Sequence, residues 1–465
     1  MFRRFLAIVL ATISIASGAP YPVRAKDFSE FDAIGIQMLT YTGRPEDAVE
    51  KAKAALATLR PADTPRKRDL SGWVLTFLCE ALTELGKYRQ AVAACQEAVA
   101  TFEGNDDPRT NSESNKFVLA LPQLASTYEA MREYELALDV RKEQLARIDD
   151  GRNSNPDKVA LLGQIGELHL ALGRFREAEA AYIEALTGFE NVWHANRKAL
   201  PLPHLHLATL YRLEERFDKA EAILKQGLVD LEATRKLMDE VPSARVAEQM
   251  YESNLPLMHQ TLGWTYFHQG RLSEARDSAQ ATLDIYEREG VAEGRRASDV
   301  KILLARIEDA VNPGSARAES LLIDAVATPE DDLGITYVLH AIAQGELARH
   351  LLLAGRPVEA EPIAQQAADT LLWGLGEDSY QTARAQVILA RAMRELGRTA
   401  EALAEARSAL AMQQSFMPAY HSETGETLAL LAELYEATGD RENLAAIETL
   451  RAEHRAARAK FEAEN

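Results

Sequence analysis

The segment GELHLALGRFREAEAAYIEAL, residues 166–186, decides which fold the sequence predicts. It contains neither a nucleophile beside a base nor a cluster of metal ligands. Ala178 and Ala185 are seven residues apart, close to two helical turns, so both lie on one face of a helix. Small side chains on that face allow two antiparallel helices to approach closely. The segment therefore predicts two packed helices joined by a turn at Gly173.

The same pattern recurs along the chain. Glycines in the frame of Gly173 stand at Gly43, Gly86, Gly270, Gly355, Gly397 and Gly439. Five residues beyond most turns an alanine starts the face of the second helix: Ala48, Ala91, Ala137, Ala178, Ala220, Ala275, Ala360 and Ala402. The frames begin near residues 29, 72, 118, 159, 201, 256, 299, 341, 383 and 425, and their prevailing step is 42 residues. This spacing predicts about ten helix hairpins.

A small residue, an aromatic residue, a turn glycine and then an alanine form a pattern that resembles the tetratricopeptide repeat, whose usual unit is 34 residues. The longer step of 42 is similar to the repeats of the kinesin light chain type. Residues 155–186 match the pattern most closely. The resemblance covers nearly all of residues 26–465. It implies an all-α, right-handed superhelical solenoid of about ten antiparallel hairpins whose concave groove holds a protein or peptide.

Two segments depart from the pattern. Between the fifth and sixth frames the step is 55, which leaves residues 234–254 as an added helical turn or a short helix. The seventh frame has Asn312, Pro313 and Gly314 at its turn. Tolerance of insertions in loops explains both departures, and a hinge or a groove lid is the alternative.

The first 25 residues have the pattern of a cleavable signal peptide. Arg3 and Arg4 precede the apolar run Phe5–Ala16, and Val23-Arg24-Ala25 has the small-residue pattern of a cleavage site. No later segment has 18 uninterrupted apolar residues, so no membrane insertion of the mature chain is expected. The sequence thus predicts export to the periplasm or the exterior, with cleavage after Ala25.

The charge of the chain disfavours two classes of partner. Loss of residues 1–25 removes Arg3, Arg4 and Arg24 and no acid, which changes the formal charge from −19 to −22. Such a field repels nucleic acid and anionic lipid, so neither is expected to bind. A hydrophobic content of 47% with sparse strand-favouring residues agrees with a folded all-α chain.

No catalytic or metal-binding motif occurs in the sequence. It lacks HExxH, zinc-ligand spacing, GxSxG, a Walker loop and a dinucleotide glycine pattern. His204 and His206 are expected to be ordinary helix residues. We therefore predict a non-catalytic scaffold without cofactor or metal that binds a protein or peptide. A structural or self-assembling envelope scaffold is the alternative, and an enzyme with an unrecognised groove site is the third hypothesis.

Both cysteines fall in the second frame. Cys79 takes the small position of its first helix and Cys95 the facing position of its second, so the two should face each other. In an oxidising compartment they form a disulfide, and the alternative is a pair of buried free thiols that act as small apolar residues.

A row of arginines suggests where a ligand binds. Leu-Ala-Arg recurs in the seventh to ninth frames and ends at Arg306, Arg349 and Arg391, with Arg394 one turn further on. Leu and Ala face the core, and the next residue is rotated by about 100°, which in this family points it into the groove. Such a row suits an extended acidic or carboxylate-ended peptide. The family's carboxylate clamp of Lys and Asn is not reproduced here.

In the sixth frame the equivalent position is Trp264, with Phe267 one turn later, which predicts an aromatic platform beside the arginines. The alternative for the whole row is a solvated face, in which each arginine pairs along its own helix and the next repeat covers Trp264. Those intrahelical pairs are Arg306 with Asp309, Arg349 with Glu346 and Arg391 with Glu395.

Overall fold

The computed structural model describes residues 28–105, 116–148, 155–196, 202–239, 245–290, 295–327, 336–377 and 379–464. In these ranges the regular structure is entirely helical: twenty α-helices and one π-helical segment, Lys116–Ala120. The prediction of an all-α fold is confirmed. The predicted signal peptide, residues 1–25, lies outside the described residues. Among the described helices, none combines the length and apolar character needed to cross a membrane.

Contacts divide the chain into two compact units, of which unit 1 ends at Leu172 and unit 2 begins at Gly173. The helices of unit 1 are α1 (Glu30–Tyr41), α2 (Pro45–Leu59), α3 (Pro65–Glu84), α4 (Tyr88–Glu103), α5 (Leu121–Ala130), α6 (Tyr134–Ile148) and α7 (Pro156–Ala171). Each packs against the next along the chain. The predicted frames number the repeats, so that α1 and α2 form repeat one and α19 and α20 form repeat ten.

Unit 2 contains the remaining thirteen described helices. They are α8 (Phe175–Asn196), α9 (Leu202–Leu213), α10 (Phe217–Asp239), α11 (Arg245–His268), α12 (Leu272–Arg288), α13 (Arg295–Val311), α14 (Ala316–Val326), α15 (Thr336–Leu353), α16 (Pro357–Leu375), α17 (Tyr380–Glu395), α18 (Thr399–Phe416), α19 (Ser422–Thr438) and α20 (Arg441–Glu464). Consecutive helices pack together, and the first helices of neighbouring repeats, from α9 to α19, also contact one another. These first helices therefore form a continuous surface.

The longer step between the fifth and sixth frames corresponds to two long helices in the structure. α10 has 23 residues and α11 has 24, whereas α9 has 12. The inserted segment 234–254 thus extends α10 and α11 over its described part, as the prediction of an added helical turn required. Residues 240–244 lie outside the described ranges.

The turns inside the hairpins follow from glycine's freedom to adopt positive φ. Gly86, between α3 and α4, has φ +67°. Its N–H donates to the Thr83 carbonyl at 2.9 Å, and the Lys87 N–H donates to the Leu82 carbonyl at 2.9 Å. These two hydrogen bonds satisfy carbonyls that the end of α3 would otherwise leave unpaired. The other predicted turn glycines also have positive φ.

Two turns adopt the same conformation without glycine. Arg132 has φ +61° and Glu215 has φ +56°. The backbone bonds are the same, since the N–H groups that follow these residues donate to the Tyr128 and Tyr211 carbonyls at 2.9 and 2.7 Å. A side chain in this left-handed region costs on the order of 1–2 kcal/mol, so contacts elsewhere must compensate.

The alanine positions predicted from the sequence are the places where paired helices approach. All eight alanines named above, from Ala48 to Ala402, are fully buried. The space at these contacts is tight: at Gly72 of α3 an added Cβ would lie 2.5 Å from the ring of Phe102 in α4. Close packing of this kind explains why small residues repeat on both helices of a hairpin.

Cys79 and Cys95 face each other across the hairpin of α3 and α4. Their Cα atoms are 5.4 Å apart, within the range that a disulfide allows, and the structure joins their sulfur atoms. Whether the bond forms in the protein depends on export, so it stays a prediction.

We expect denatured protein to take up no iodoacetamide before reduction and two carbamidomethyl groups after it, as measured by intact mass. A Cys79→Ser and Cys95→Ser double variant is the control and takes up none under either condition. Two groups added before reduction would show free thiols instead.

Candidate functional site

An open cavity of ≈ 560 Å³ lies on the surface formed by the first helices of repeats seven to ten. All four arginines predicted from the sequence line it, namely Arg306, Arg349, Arg391 and Arg394. Its apolar part comes from residues on α15, α17 and α19: Leu352, Leu353, Val387, Ile388, Ala429 and Leu430. The cavity thus offers cationic groups beside an apolar floor.

Local helix geometry explains why these arginines reach the cavity. Leu389 and Ala390 on α17 are buried completely, and the residue after them is turned by about 100° away from the core. Arg391 is therefore directed to the open surface. The same argument applies to Arg306 on α13, where Ala305 is fully buried, and to Arg349 on α15, where Ala348 is.

Three arginines on the inner side of the cavity share one carboxylate. Glu346 of α15 is 4% exposed, and its oxygens lie 2.7 Å from Arg384, 2.9 Å from Arg349 and 3.3 Å from Arg306. The cluster links α13, α15 and α17. Sequence reasoning missed Arg384 and paired Glu346 only with Arg349, because the contacts of Glu346 with Arg306 and Arg384 join residues about one repeat apart.

The charges in this cluster remain fixed over a wide pH range. Burial alone would raise the pKa of Glu346, but Arg384, Arg306 and Arg349 outweigh it and hold that pKa well below its usual value. Burial lowers the pKa of Arg306 to about 10, which still leaves it cationic at neutral pH. These inner arginines are therefore held by the protein itself.

Arg349 has a second partner in the preceding repeat. Its guanidinium lies 2.9 Å from Asp309 of α13, whose other oxygen is 2.8 Å from Nδ1 of His350. Of the three intrahelical pairs in the alternative hypothesis, the structure contains Arg349 with Glu346. Arg306 and Arg391 pair instead with the following repeat, through Glu346 and Glu426.

The two outer arginines are more accessible. Arg391 and Arg394 are each 36% exposed, and their partners Glu426 and Glu433 on α19 are each 60% exposed. Arg391 lies 2.8 Å from Glu426, while Arg394 pairs with Glu433 and lies 2.6 Å from Glu395. Exposed pairs of this kind contribute on the order of 0–1 kcal/mol, so a ligand carboxylate can replace them at little cost.

The predicted aromatic platform is not open to a ligand at Trp264. That side chain is 8% exposed, and its indole N–H donates to Asp299 of α13 at 3.1 Å. The next repeat therefore covers it, as the alternative hypothesis proposed. Phe267 is half-buried, and the guanidinium of Arg306 lies 5.3 Å from the centre of its ring. This contact holds Arg306 in place.

The structure gives no candidate metal centre in the ranges it describes. No group of three or more His, Cys, Asp or Glu side chains there is arranged to hold an ion. His204 lies in α9, with its Nε2 3.3 Å from Asp230 of α10. His206 packs against Tyr182 with ring centres 5.2 Å apart. Both histidines are therefore part of the helix packing.

Models of the tetratricopeptide repeat match five segments of the chain: residues 120–156, 159–187, 260–289, 341–366 and 383–408. Each matched segment covers parts of two consecutive helices. The chain is a tetratricopeptide repeat protein. Repeats of this kind form scaffolds for protein–protein interaction, and the surface of first helices is where such a scaffold offers its groove.

Several solved structures resemble this tetratricopeptide repeat protein. A tetratricopeptide repeat protein from Parabacteroides merdae is 19% identical, with 68% of this chain and 98% of that chain covered and a TM-score of 0.41. A putative kinesin light chain with nearly identical TPR-like repeats from Podosopora anserina is 23% identical, with coverages of 45% and 97% and a TM-score of 0.34. A Rap protein complexed with competence and sporulation factor is 13% identical, with coverages of 72% and 97% and a TM-score of 0.43. Comparison with curated proteins gives no match.

Proposed function

We propose that this protein is a non-catalytic exported scaffold that holds an extended acidic or carboxylate-ended segment of a partner protein. The segment lies in the cavity lined by α13, α15, α17 and α19. Export is supported by the signal-peptide pattern of residues 1–25. The binding mode is supported by the accessible arginines beside an apolar floor.

The observation that carries the proposal is the availability of Arg391 and Arg394. Both side chains line the cavity and are held only by exposed glutamates. A bound carboxylate can accept two parallel hydrogen bonds from a guanidinium, which gives directional contact as well as charge attraction. Val387, Ile388 and Leu430 lie beside them and can bury an apolar side chain of the same segment.

The charge balance of the cavity differs from that of the whole chain. Five arginines and four glutamates line it, whereas the chain has 52 basic and 71 acidic residues. A ligand with acidic groups is repelled by most of the surface and attracted locally here. Glu346 and Asp309 neutralise the inner arginines, so the attraction for an acidic ligand comes from Arg391 and Arg394.

The test is a double variant in which Arg391 and Arg394 are both replaced by glutamate. The probe is a fluorescein-labelled peptide of alternating Glu and Leu residues with a free carboxyl end, followed by fluorescence anisotropy. We expect its Kd to increase at least about tenfold, because two attractive contacts become repulsive.

The matched control is Arg271→Glu with Arg398→Glu, which changes the charge by the same amount. These arginines are 34% and 38% exposed and pair with glutamates outside the cavity. The control should bind the probe like the wild type. Equal weakening in both double variants would show a general charge effect, and an unchanged Kd for the Arg391 and Arg394 variant would remove the proposed site.

A further inference from the structure

Gln413 of α18 differs from the residues that occupy the same position in other repeats. It lies sixteen residues after the turn glycine Gly397. In five other repeats the residue sixteen after the turn is large and hydrophobic: Phe102, Phe189, Leu231, Tyr286 and Leu371. All five are at most 1% exposed, and Gln413 is also 1% exposed. Repeat nine therefore has an amide where the packing of a hairpin favours an apolar side chain.

The amide of Gln413 has no partner among the residues that the structure describes. Both its Oε1 and its Nε2 are buried, and neither makes a hydrogen bond there. A buried amide of this kind lowers stability until a partner is supplied. Gln344 and Gln386 also have a buried Oε1 without a partner in the described ranges, but neither lines the cavity. Gln413 combines both properties.

Gln413 lines the cavity at the place where α18 lies against both α17 and α19. Val387 and Ile388 of α17 and Leu430 of α19 line the same cavity, so the amide is set in its apolar floor. The terminal torsion of a glutamine side chain is broad, which allows the amide to turn toward a bound group. A polar group of a ligand that reaches this floor can therefore pair with Gln413.

Two other polar side chains that line the cavity, both on α19, are already paired. The Thr427 hydroxyl donates to the Glu423 carbonyl at 3.0 Å. The Glu423 carboxylate accepts a hydrogen bond from the hydroxyl of Tyr380, the first residue of α17. These groups therefore have partners inside the protein, whereas the amide of Gln413 depends on a group that enters the cavity.

α19 is held at its first residue by a contact between repeats five and ten. The carboxylate of Glu215, in the turn between α9 and α10, accepts the Ser422 N–H at 3.0 Å. Its second oxygen pairs with Arg458 of α20, and the Glu215 side chain is 5% exposed. The negative charge at the start of α19 is also favoured by the helix dipole. The helix on one side of Gln413 is thus fixed in position.

We propose that the amide of Gln413 binds a main-chain peptide group of the ligand. Its Nε2 can donate to a peptide carbonyl and its Oε1 can accept from a peptide N–H. The inference rests on the proposed function and adds to it: Arg391 and Arg394 bind an acidic group, and Gln413 binds the backbone beside it. An extended peptide offers both kinds of group, whereas a fatty acid offers only a carboxylate and a chain of carbons. The ligand class is therefore a peptide segment.

The test is Gln413→Leu, which gives repeat nine the residue that repeats five and eight have at this position. With the labelled peptide of alternating Glu and Leu, we expect the Kd to increase at least about fivefold, because the hydrogen bonds to the ligand are lost. Gln414→Leu is the matched control, since Gln414 is on the same helix but is exposed and does not line the cavity. The control should bind the peptide like the wild type.

Esters in the peptide backbone test the contact directly. In a set of probe peptides one amide at a time is replaced by an ester, which removes one N–H and leaves every side chain in place. We expect at least one of these esters to weaken binding to the wild type by about threefold or more. The same ester should bind Gln413→Leu as well as the all-amide peptide does. Equal weakening by every ester in wild type and variant would show that Gln413 does not contact the backbone.

A thermal melt separates binding from folding. Because leucine leaves no buried polar atom at this position, we expect the ligand-free variant to have a Tm equal to or above that of the wild type. A lower Tm would show that the amide stabilises the fold and would overturn the inference. Unchanged peptide binding by Gln413→Leu also overturns it, while the proposed function stands if the Arg391 and Arg394 variant still loses binding. If neither variant changes binding, both proposals fail.

Discussion

Replacement of Glu346 with glutamine is expected to destabilise repeats seven to nine by about 3–5 kcal/mol. The carboxylate is 4% exposed and serves Arg384, Arg349 and Arg306 at once. Without its charge three cations remain close together, and their mutual repulsion is no longer compensated. Because a repeat array opens locally, the loss should appear as faster hydrogen exchange in α13, α15 and α17. Exchange in unit 1 should not change.

The pH dependence of this effect has a defined sign. The three arginines hold the pKa of Glu346 below its reference value of 4.5, despite burial, so its contribution is complete above that pH. It is lost progressively as the pH falls from that value to the lowered pKa. We expect the difference between wild type and variant to stay constant from pH 8 to about 5 and to shrink at lower pH.

Glu401→Gln is the control for the same experiment. Glu401 is 55% exposed and pairs with Arg398, so its loss should cost much less stability than the loss of Glu346. A destabilisation by Glu346→Gln no larger than that of this control would mean that the inner cluster does not link the repeats. A difference that disappears already at pH 6 would contradict the lowered pKa.

The features that sequence predicted correctly are those set by residues close together in the chain. Gly86 and the other turn glycines could be recognised because a turn residue with positive φ is usually glycine. The buried alanines could be recognised from helical periodicity alone. Arg132 and Glu215 could not, because a side chain in the left-handed region is stabilised by contacts that local sequence does not encode.

In the candidate site, too, local features could be predicted from the sequence and contacts between repeats could not. The direction of Arg306, Arg349 and Arg391 follows from the turn angle of a helix, so the sequence placed all three on the cavity. Their partners depend on how neighbouring repeats are stacked. Glu346 is 40 residues from Arg306, and no spacing rule within one helix connects them. For the same reason the cover that α13 provides for Trp264 could only be stated as an alternative.

The arginines that line the cavity have two different roles, although their side chains are chemically identical. The inner arginines are held by Glu346 and Asp309, so exchanging them for acids would disrupt the repeats themselves. The outer arginines, Arg391 and Arg394, have exposed partners and can exchange them. A loss of binding caused by Arg349→Glu would therefore not identify a ligand contact, which is why the binding test uses the outer pair.

Glu215→Gly is expected to destabilise the contact between repeats five and ten by about 2 kcal/mol, although glycine suits the backbone there. Removing the carboxylate leaves Arg458 without its buried partner and the Ser422 N–H without an acceptor. Glycine recovers about 1 kcal/mol of strain at φ +56°, so the net loss measures the contact itself. Hydrogen exchange at the start of α19 and in α20 should become faster.

Arg132→Gly is the matched control, because Arg132 has φ +61° in the equivalent turn of repeat three. That turn lies in unit 1, whereas the contact between repeats five and ten is within unit 2. We expect the control to leave stability unchanged or to raise it by up to about 1 kcal/mol. If Glu215→Gly lowers stability while Arg132→Gly does not, the Glu215 side chain stabilises the contact between repeats five and ten. If Glu215→Gly is also neutral or stabilising, the contact between repeats five and ten contributes nothing to stability.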